Sequence, residues 1–471
     1  MRNYYITTTL PYVNAEPHIG FALEILEADC LARFHRLLGE NVIFNFGTDE
    51  HGLKIWEKAK EENKNPLDYA NEYAAKYDDL RHVLNLSYDN FIRTTEPHHI
   101  SAAQEFWQRC EASGDIYKKT YKARYCVGCE LEKTDSELVD DKCPLHPTRK
   151  LEIIEEENYF FKFSKYQKPL LELYKNNPHF VVPRSKFKEI ISFVEAGLQD
   201  FSISRLKSKM PWGIDVPGDP NHVMYVWFDA LINYISTLGW PEKDISKWWP
   251  GIQVAGKDNL RQQSAIWQAM LLSANVPNSK QILIHGFISL GGQRISKSTG
   301  NTISPFDLEP KYGTDAIRYY LLAKIHPFRD SDFTIEKFEN TYNDDLANGL
   351  GNLVARVAGL ANSETLEKTT INKPSPAINK HLENYRFDLA LAFIWKNIGI
   401  ADKFINKQEV WKLKGAERTK ALTTLVNQVR IIAYDLQPYL PETAEKILNQ
   451  FQESQIKTRA PLFPRLEKQN A

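Results

Sequence analysis

Five cysteines in 471 residues cannot supply a disulfide framework, and that scarcity excludes the small, cross-linked secreted class. Neither sign of charge is in excess: 59 Lys and Arg stand against 60 Asp and Glu, a net charge of −1. A chain that grips polyanions through global charge is thereby excluded, so any nucleic-acid contact must come from local patches. No apolar run approaches the roughly 18 residues that span a bilayer. The N-terminus, MRNYYITTTLPYV, lacks a charged segment followed by an apolar one, so neither a membrane anchor nor a signal peptide is expected. Internal repeats and low-complexity tracts are also missing. What is present is ordinary for a globular protein, 42% hydrophobic and 25% charged residues, in a chain long enough for two to four domains.

The segment NYYITTTL (3–10) reads as a buried strand, followed by a loop with Pro11 and Pro17. A helical pattern starts near Ala22, with Leu23, Leu26, Cys30, Phe34 and Leu37 on one face and Gly39 as its stop. A second strand, NVIFNF (41–46), runs into GTDEHG. This alternation predicts a parallel α/β sheet with its ligand at the carboxyl ends of the strands. Tyrosine-rich short strands and a cysteine cluster break the alternation, and an insertion is expected over 116–218. Strand signals return at HVMYVWF (222–228), GIQVAG (251–256) and QILIHGFISL (281–290). The catalytic fold is thus expected in halves at 1–115 and 219–292, followed by a connecting region, 293–340. Beyond about residue 340, three long helical patterns predict an α-helical bundle over 341–471, with KTRAPLFPRLEKQNA as a loosely ordered tail.

Two short motifs carry the chemistry. In PYVNAEPHIGF (11–21), His18 and Gly20 open a helix, where free N–H groups and the positive dipole end suit phosphate. In RISKS (294–298), Lys297 sits in a Gly- and Ser-flanked loop from which a compact ammonium can reach ATP phosphates, with Ser296 and Ser298 as hydroxyl donors. Alone, the first fits an ordinary helix start and the second an exposed basic loop. Together, about 280 residues apart, they predict one ATP site assembled from both ends of the fold. The third signal is Cys126-x-x-Cys129, then thirteen residues, then Cys143-x-x-His146. A Cys₃His set at this spacing predicts a structural zinc site in a reducing, cytoplasmic setting, because four protein ligands leave no open position. Cys30 and Cys110 lie in helical patterns and read as packing residues.

These motifs resemble the HIGH and KMSKS signatures of class I aminoacyl-tRNA synthetases. The blocks TTLPYVNAEPHIG, GTDEHG, YCVGC…CPLH, NYFFKFSKY, YVWFDALINY, GKDN, HGFI and DAIRYYLL resemble, more closely, the methionyl-tRNA synthetase family. The resemblance implies a Rossmann-type catalytic domain, its parallel sheet split by a zinc-bearing connective insertion, followed by a stem-contact region and an α-helical anticodon-binding bundle. It implies activation of L-methionine by ATP with Mg²⁺, then transfer to tRNA(Met), initiator tRNA included. Catalytic roles fall on His18 and Lys297, and ATP binding also on Asn14, Gly20, Asp258, Arg294 and Ser296. Methionine binding falls on Leu10, Tyr12, Asp49, Trp227, Ala230, Tyr234, Asn259 and Gln263, with Asp49 holding the α-ammonium. Anticodon reading falls on Asn352, Arg356 and Trp411, residue types that stack on or hydrogen-bond to unpaired bases. Residues 403–430 carry seven Lys/Arg against two Asp/Glu, a patch suited to phosphates.

The sequence also departs from the family pattern. Phe21 stands where a second histidine is usual, and Arg294 and Ile295 replace the usual lysine and methionine. Leu231 and Ile266 replace a common proline and phenylalanine. Asn259 and Gln263 replace isoleucine and histidine, and two amides facing a thioether need partners in each other or in backbone. A class I paralogue with altered amino-acid specificity, a catalytically silent tRNA binder and a small-molecule nucleotidyltransferase are the alternatives. The chain closes soon after its bundle, so a monomer is expected.

Overall fold

The structure, a computed structural model, describes residues 2–129, 131–133, 137–295, 302–362, 364–453 and 455–467. Six strands form a central sheet: β1 (Asn3–Thr8), β2 (Asn41–Thr48), β3 (Asn90–Arg93), β4 (Val181–Val182), β5 (Ile252–Gly256) and β6 (Gln281–His285). All neighbours are parallel, in the order β3-β2-β1-β5-β6-β4. The chain therefore builds outward from β1 to β3 on one side, while on the other β5 and β6 fill the space between β1 and the earlier edge strand β4. The switch between the two sides opens a crevice at the carboxyl ends of β1 and β5.

The helix predicted near Ala22 is α1, Ile19–Leu37, and Gly39 follows it with a φ of +80°. Its residues Leu23, Leu26, Cys30 and Phe34 are buried against the sheet. Two other predicted strands are split. QILIHGFISL divides into β6 and Ile288–Leu290, and the second piece leaves the central sheet to pair with Gln293–Arg294 and Ser331–Phe333. HVMYVWF is strand only to Met224; that strand is antiparallel, outside the parallel sheet, and Val226–Ala230 is helical. The edge strand β4 comes from within 116–218, so part of the stretch read as insertion completes the central sheet.

The cysteine-bearing segment grows from a four-stranded antiparallel sheet in which Ile116–Cys126 pairs with Glu152–Phe161. The C-terminal region contains four principal helices: α2 (Asn352–Leu360, continuing a π-helical stretch from Tyr342), α3 (Phe387–Lys407), α4 (Gly415–Leu436) and α5 (Pro441–Gln452). The tail is not loose through residue 467. Phe463 packs edge-on against Tyr342, and the Leu466 amide donates to Asn343.

One fully buried arginine joins these parts. Arg318, in the helix Thr314–Ala323, pairs with Asp29 of α1 at 2.8 Å and donates to the carbonyls of Leu84, Pro438 and Tyr439. The planar fork satisfies acceptors from three segments at once, which an ammonium could not match.

Candidate active site and metal centre

A cavity of about 620 Å³ lies in the crevice. Leu10, Tyr12 and Asn14 enter it from the loop after β1, Asp49 from the end of β2, and His18 and Gly20 from the start of α1. Trp227, Ala230 and Tyr234 enter from the segment after Met224, and Asp258, Asn259 and Gln263 from the segment after β5. Twelve of the residues predicted to bind ATP or methionine, drawn from four distant segments, thus face one space. Ser296 and Lys297 lie outside the described residues; Arg294 closes a two-residue strand with Gln293. The two motifs do meet. A Cβ placed on Gly20 would come within 3.1 Å of the His18 ring and 3.4 Å of Ile295 Cδ1. The bare backbone of Gly20 therefore lets the histidine ring lie over the first turn of α1, beside the residue that precedes the second motif's serine.

His18 occupies the N-cap position of α1 with extended backbone, and its carbonyl accepts from the Phe21 and Ala22 amides at 3.0 and 3.1 Å. Phe21 turns to an aromatic cluster, with ring centroids 5.6 Å from both Phe46 and Tyr77. That packing accounts for an aromatic ring where the sequence pattern led us to expect a second donor.

Sequence reading missed the residue that ties the crevice together. Glu24, buried on α1, accepts from the Thr9 amide and hydroxyl at 2.8 and 2.5 Å, from the Gly256 amide at 3.0 Å and from His285 Nε2 at 3.0 Å. One carboxylate thereby joins the carboxyl ends of β1, β5 and β6. Burial alone would lower the His285 pKa, but its bond to Glu24 and the nearby Glu24 and Glu27 charges push it up to about 9. Burial in turn pushes the Glu27 carboxyl up to about 8.

A second buried set fixes the GTDEHG loop. His51 Nδ1 lies 2.7 Å from Asp229, and the other oxygen of Asp229 lies 2.8 Å from His99 Nε2. Burial would raise the Asp229 carboxyl, but the two histidines outweigh it and hold it low. Glu50 accepts two bonds from the Arg93 guanidinium at 2.7 and 2.9 Å and further bonds from Thr48 and Thr95. The backbone carrying Asp49 is thus anchored on both flanks, and Asp49 also bridges to Tyr12 in parallel register. These partners lie up to 178 residues apart, beyond any local sequence signal.

The two amides that replace apolar or imidazole groups behave differently. Gln263 Nε2 donates to the Tyr234 hydroxyl at 2.7 Å, while its oxygen accepts from Gln253 at 3.0 Å. Its partners are side chains rather than Asn259 or backbone. Asn259 is half-buried, 3.4 Å from an oxygen of its neighbour Asp258. Leu231 lines the cavity.

Cys126, Cys129, Cys143 and His146 bring one ligand atom each within 4.8 Å of one another. Cys129 Sγ lies 3.4 Å from Cys143 Sγ and 3.2 Å from His146 Nδ1, and Cys126 Sγ lies 3.8 Å from the same nitrogen. Tetrahedral bonds of about 2.3 Å to sulfur and 2.0–2.1 Å to nitrogen give edges of roughly 3.5–3.8 Å, so this donor set fits a metal ion. The fit depends on Gly128, where a Cβ would lie 2.5 Å from the His146 ring. Gly128, Cys129, Leu145 and His146 also form part of the crevice wall.

In the bundle, Asn352 and Trp411 are exposed, the tryptophan by 49%. Trp411 lies in a short 3₁₀ turn, Val410–Lys412, between α3 and α4. Arg356, on α2, pairs with Asp402 and donates to Asn406 at 2.7 Å, both on α3.

A parallel sheet whose switch-point crevice gathers an H-x-G helix start and the flank of the distant RISKS motif defines a class I tRNA synthetase core. The family described as tRNA synthetases class I (M) matches residues 4–152 and 135–358. A methionine–tRNA ligase of Synechocystis sp. is 40% identical, covering 95% of this chain and 89% of its own length, and one of Brucella suis is 39% identical, covering 95% and 91%. The Mycobacterium tuberculosis methionyl-tRNA synthetase in complex with methionyl-adenylate superposes with a TM-score of 0.91 at 35% identity, covering 99% of this chain and all of that one. The chain belongs to the methionine–tRNA ligase family. No helix among the described residues is long and apolar enough to cross a membrane.

Proposed function

We propose that this chain activates L-methionine with ATP, as its magnesium complex, and then esterifies the 3′-terminal ribose of tRNA(Met), including initiator tRNA. The observation that carries this reading is the convergence of twelve candidate residues on one crevice at the sheet's switch point. The methionine carboxylate attacks the α-phosphorus of ATP, giving methionyl-adenylate and pyrophosphate. The ribose hydroxyl then attacks the adenylate carbonyl and releases AMP. Neither step requires a side-chain nucleophile, so positioning and charge stabilisation supply the rate.

Asp49 pairs with the α-ammonium, with the Leu10 backbone beside it. Tyr12, Trp227, Ala230 and Tyr234 enclose the side chain, and Asn259 and Gln263 lie at its border. Asp258 accepts from the ATP ribose. Asn14, His18 and the backbone at Gly20 face the phosphates, and Arg294, Ser296 and Lys297 stabilise the departing pyrophosphate. Cys126, Cys129, Cys143 and His146 would hold one zinc ion, which stiffens a segment too small for a core of its own. Asn352, Arg356 and Trp411 read the CAU anticodon.

Amino-acid-dependent ATP–pyrophosphate exchange across the twenty amino acids tests this. Methionine should dominate, and Lys297→Ala should abolish exchange. Dominance of another amino acid would establish the altered-specificity reading, for which the Gln263 amide is the motivating observation.

A further inference from the structure

Behind Tyr234 lies a continuous chain of buried amides and hydroxyls that no sequence motif marked. It begins at the Ser279 backbone N–H, which donates to Gln268 Oε1 at 3.1 Å. Gln268 Nε2 donates to the Gln263 carbonyl at 2.8 Å and to Ser279 Oγ at 3.0 Å. Ser279 Oγ donates to Gln253 Oε1, Gln253 Nε2 to Gln263 Oε1 at 3.0 Å, and Gln263 Nε2 to the Tyr234 hydroxyl at 2.7 Å. All five side chains are buried.

The direction of this chain is fixed at its far end. A backbone N–H can only donate and a backbone carbonyl can only accept, so Gln268 has one allowed orientation between Ser279 and Gln263. Its NH₂ then occupies a lone pair of Ser279 Oγ, and the serine proton must go to Gln253. The reverse orientation of Gln253 would leave that buried proton without an acceptor, a cost of roughly tenfold or more in population. With Gln253 so oriented, Gln263 must present its oxygen inward and its NH₂ to Tyr234. The Tyr234 oxygen is thereby engaged as an acceptor. The side chains of Gln253 and Asn233 also lie near this hydroxyl, but the Gln253 amide is engaged by Gln263 and Ser279, and that of Asn233 by the Ala230 carbonyl and Asn45; Tyr234 itself lines the crevice. Burial raises the phenol's pKa, so the proton stays in place.

We propose that Ser279, Gln268 and Gln253 are positioning residues for amino-acid selection: they lock the Gln263 amide so that the Tyr234 hydroxyl points its proton at the acceptor atom of the bound side chain. A thioether sulfur is a weak acceptor, whereas a methylene in its place accepts nothing. The relay thus favours methionine over norleucine, which matches it in length and shape. This inference rests on the reading of the Tyr234 pocket as the amino-acid side-chain site.

The test measures ATP–pyrophosphate exchange with methionine and with norleucine for the full chain and for Ser279→Ala, Gln253→Leu, Tyr234→Phe and the double variant Ser279→Ala/Tyr234→Phe. Thermal melting confirms that each variant is folded. Ser279→Ala and Gln253→Leu should each lower the methionine-to-norleucine ratio of kcat/KM about three- to tenfold, mainly through the methionine KM. Norleucine kcat/KM should stay within about twofold, and Ser279→Ala should add nothing once Tyr234 is phenylalanine. If Tyr234→Phe lowers the ratio while the Ser279 and Gln253 changes reduce both substrates equally, the relay is wrong and the pocket stands. If Tyr234→Phe leaves the ratio unchanged, the pocket reading fails and the relay falls with it.

Discussion

Glu24 and His285 stand 3.0 Å apart although 261 residues separate them, and they hold the carboxyl ends of three strands at the crevice. The pair sets a pH dependence whose sign is fixed. The folded-state pKa of His285 lies above its ordinary value, so its stabilisation is complete below about pH 6.5 and is lost as pH rises through about 9. The Glu27 carboxyl, pushed up to about 8, acts in the same direction: folding becomes less favourable as pH rises from about 4.5 to 8. The melting temperature should therefore fall between pH 6.5 and 9. A His285→Gln variant should start lower at pH 6.5 and fall less over that range. Parallel curves for the two proteins would sink the assignment.

Arg318 and Asp29 form a fully buried ion pair. Replacing the arginine by methionine strands Asp29, whose carboxyl burial alone would raise but which the charges of Arg318 and Arg33 keep low. The expected loss is about 3–5 kcal/mol in chemical denaturation, with three carbonyls also left without their donor. A loss under about 1 kcal/mol would contradict the buried-pair geometry.

Removing the metal should act on the insertion first. Metal analysis should find one zinc per chain, and Cys143→Ser should abolish it. That variant should impair tRNA charging more than methionine-dependent exchange. Undiminished metal content in Cys143→Ser would refute the ligand set.

Trp411 lies in the helical region, remote in sequence from the crevice, and is half exposed. Trp411→Ala should lower aminoacylation about 5- to 150-fold through the KM for tRNA, since losing one stacked base costs about 1–3 kcal/mol. Exchange should be spared; equal loss of both activities would rule out an anticodon role.

Phe21→Ala should destabilise the chain by about 2 kcal/mol, because it opens a gap between Phe46 and Tyr77. Phe21→His tests whether the ring's role is packing: melting should drop while exchange changes by less than about threefold. A large gain in exchange would show that a donor is wanted there.

The elements that could be read from sequence were those with a long period or a strict spacing. The apolar stripe of α1, the strands at 3–10 and 41–46 and the Cys₃His set were all legible because each is specified by neighbours in the chain. β4 was not, since Val181–Val182 is too short to show any alternation and owes its existence to the edge of β6. The break at Gly286 was hidden inside one strand-like run, QILIHGFISL; the close approach of the Arg329 backbone, 2.3 Å from a Cβ built at Gly286, is visible only in the fold. Within the site, residue types were legible and partners were not. The sequence pattern called for something to pair with Gln263 but gave no means of choosing Tyr234 and Gln253.

Cys129 and His146 belong at once to the candidate metal-ligand set and to the wall of the crevice. Two ligands that share a wall are thermodynamically linked, and linkage is reciprocal. Whatever factor the metal contributes to the affinity for a molecule in the crevice, that molecule must return to the metal. A titration of zinc release with and without adenylate would read the coupling from the opposite side.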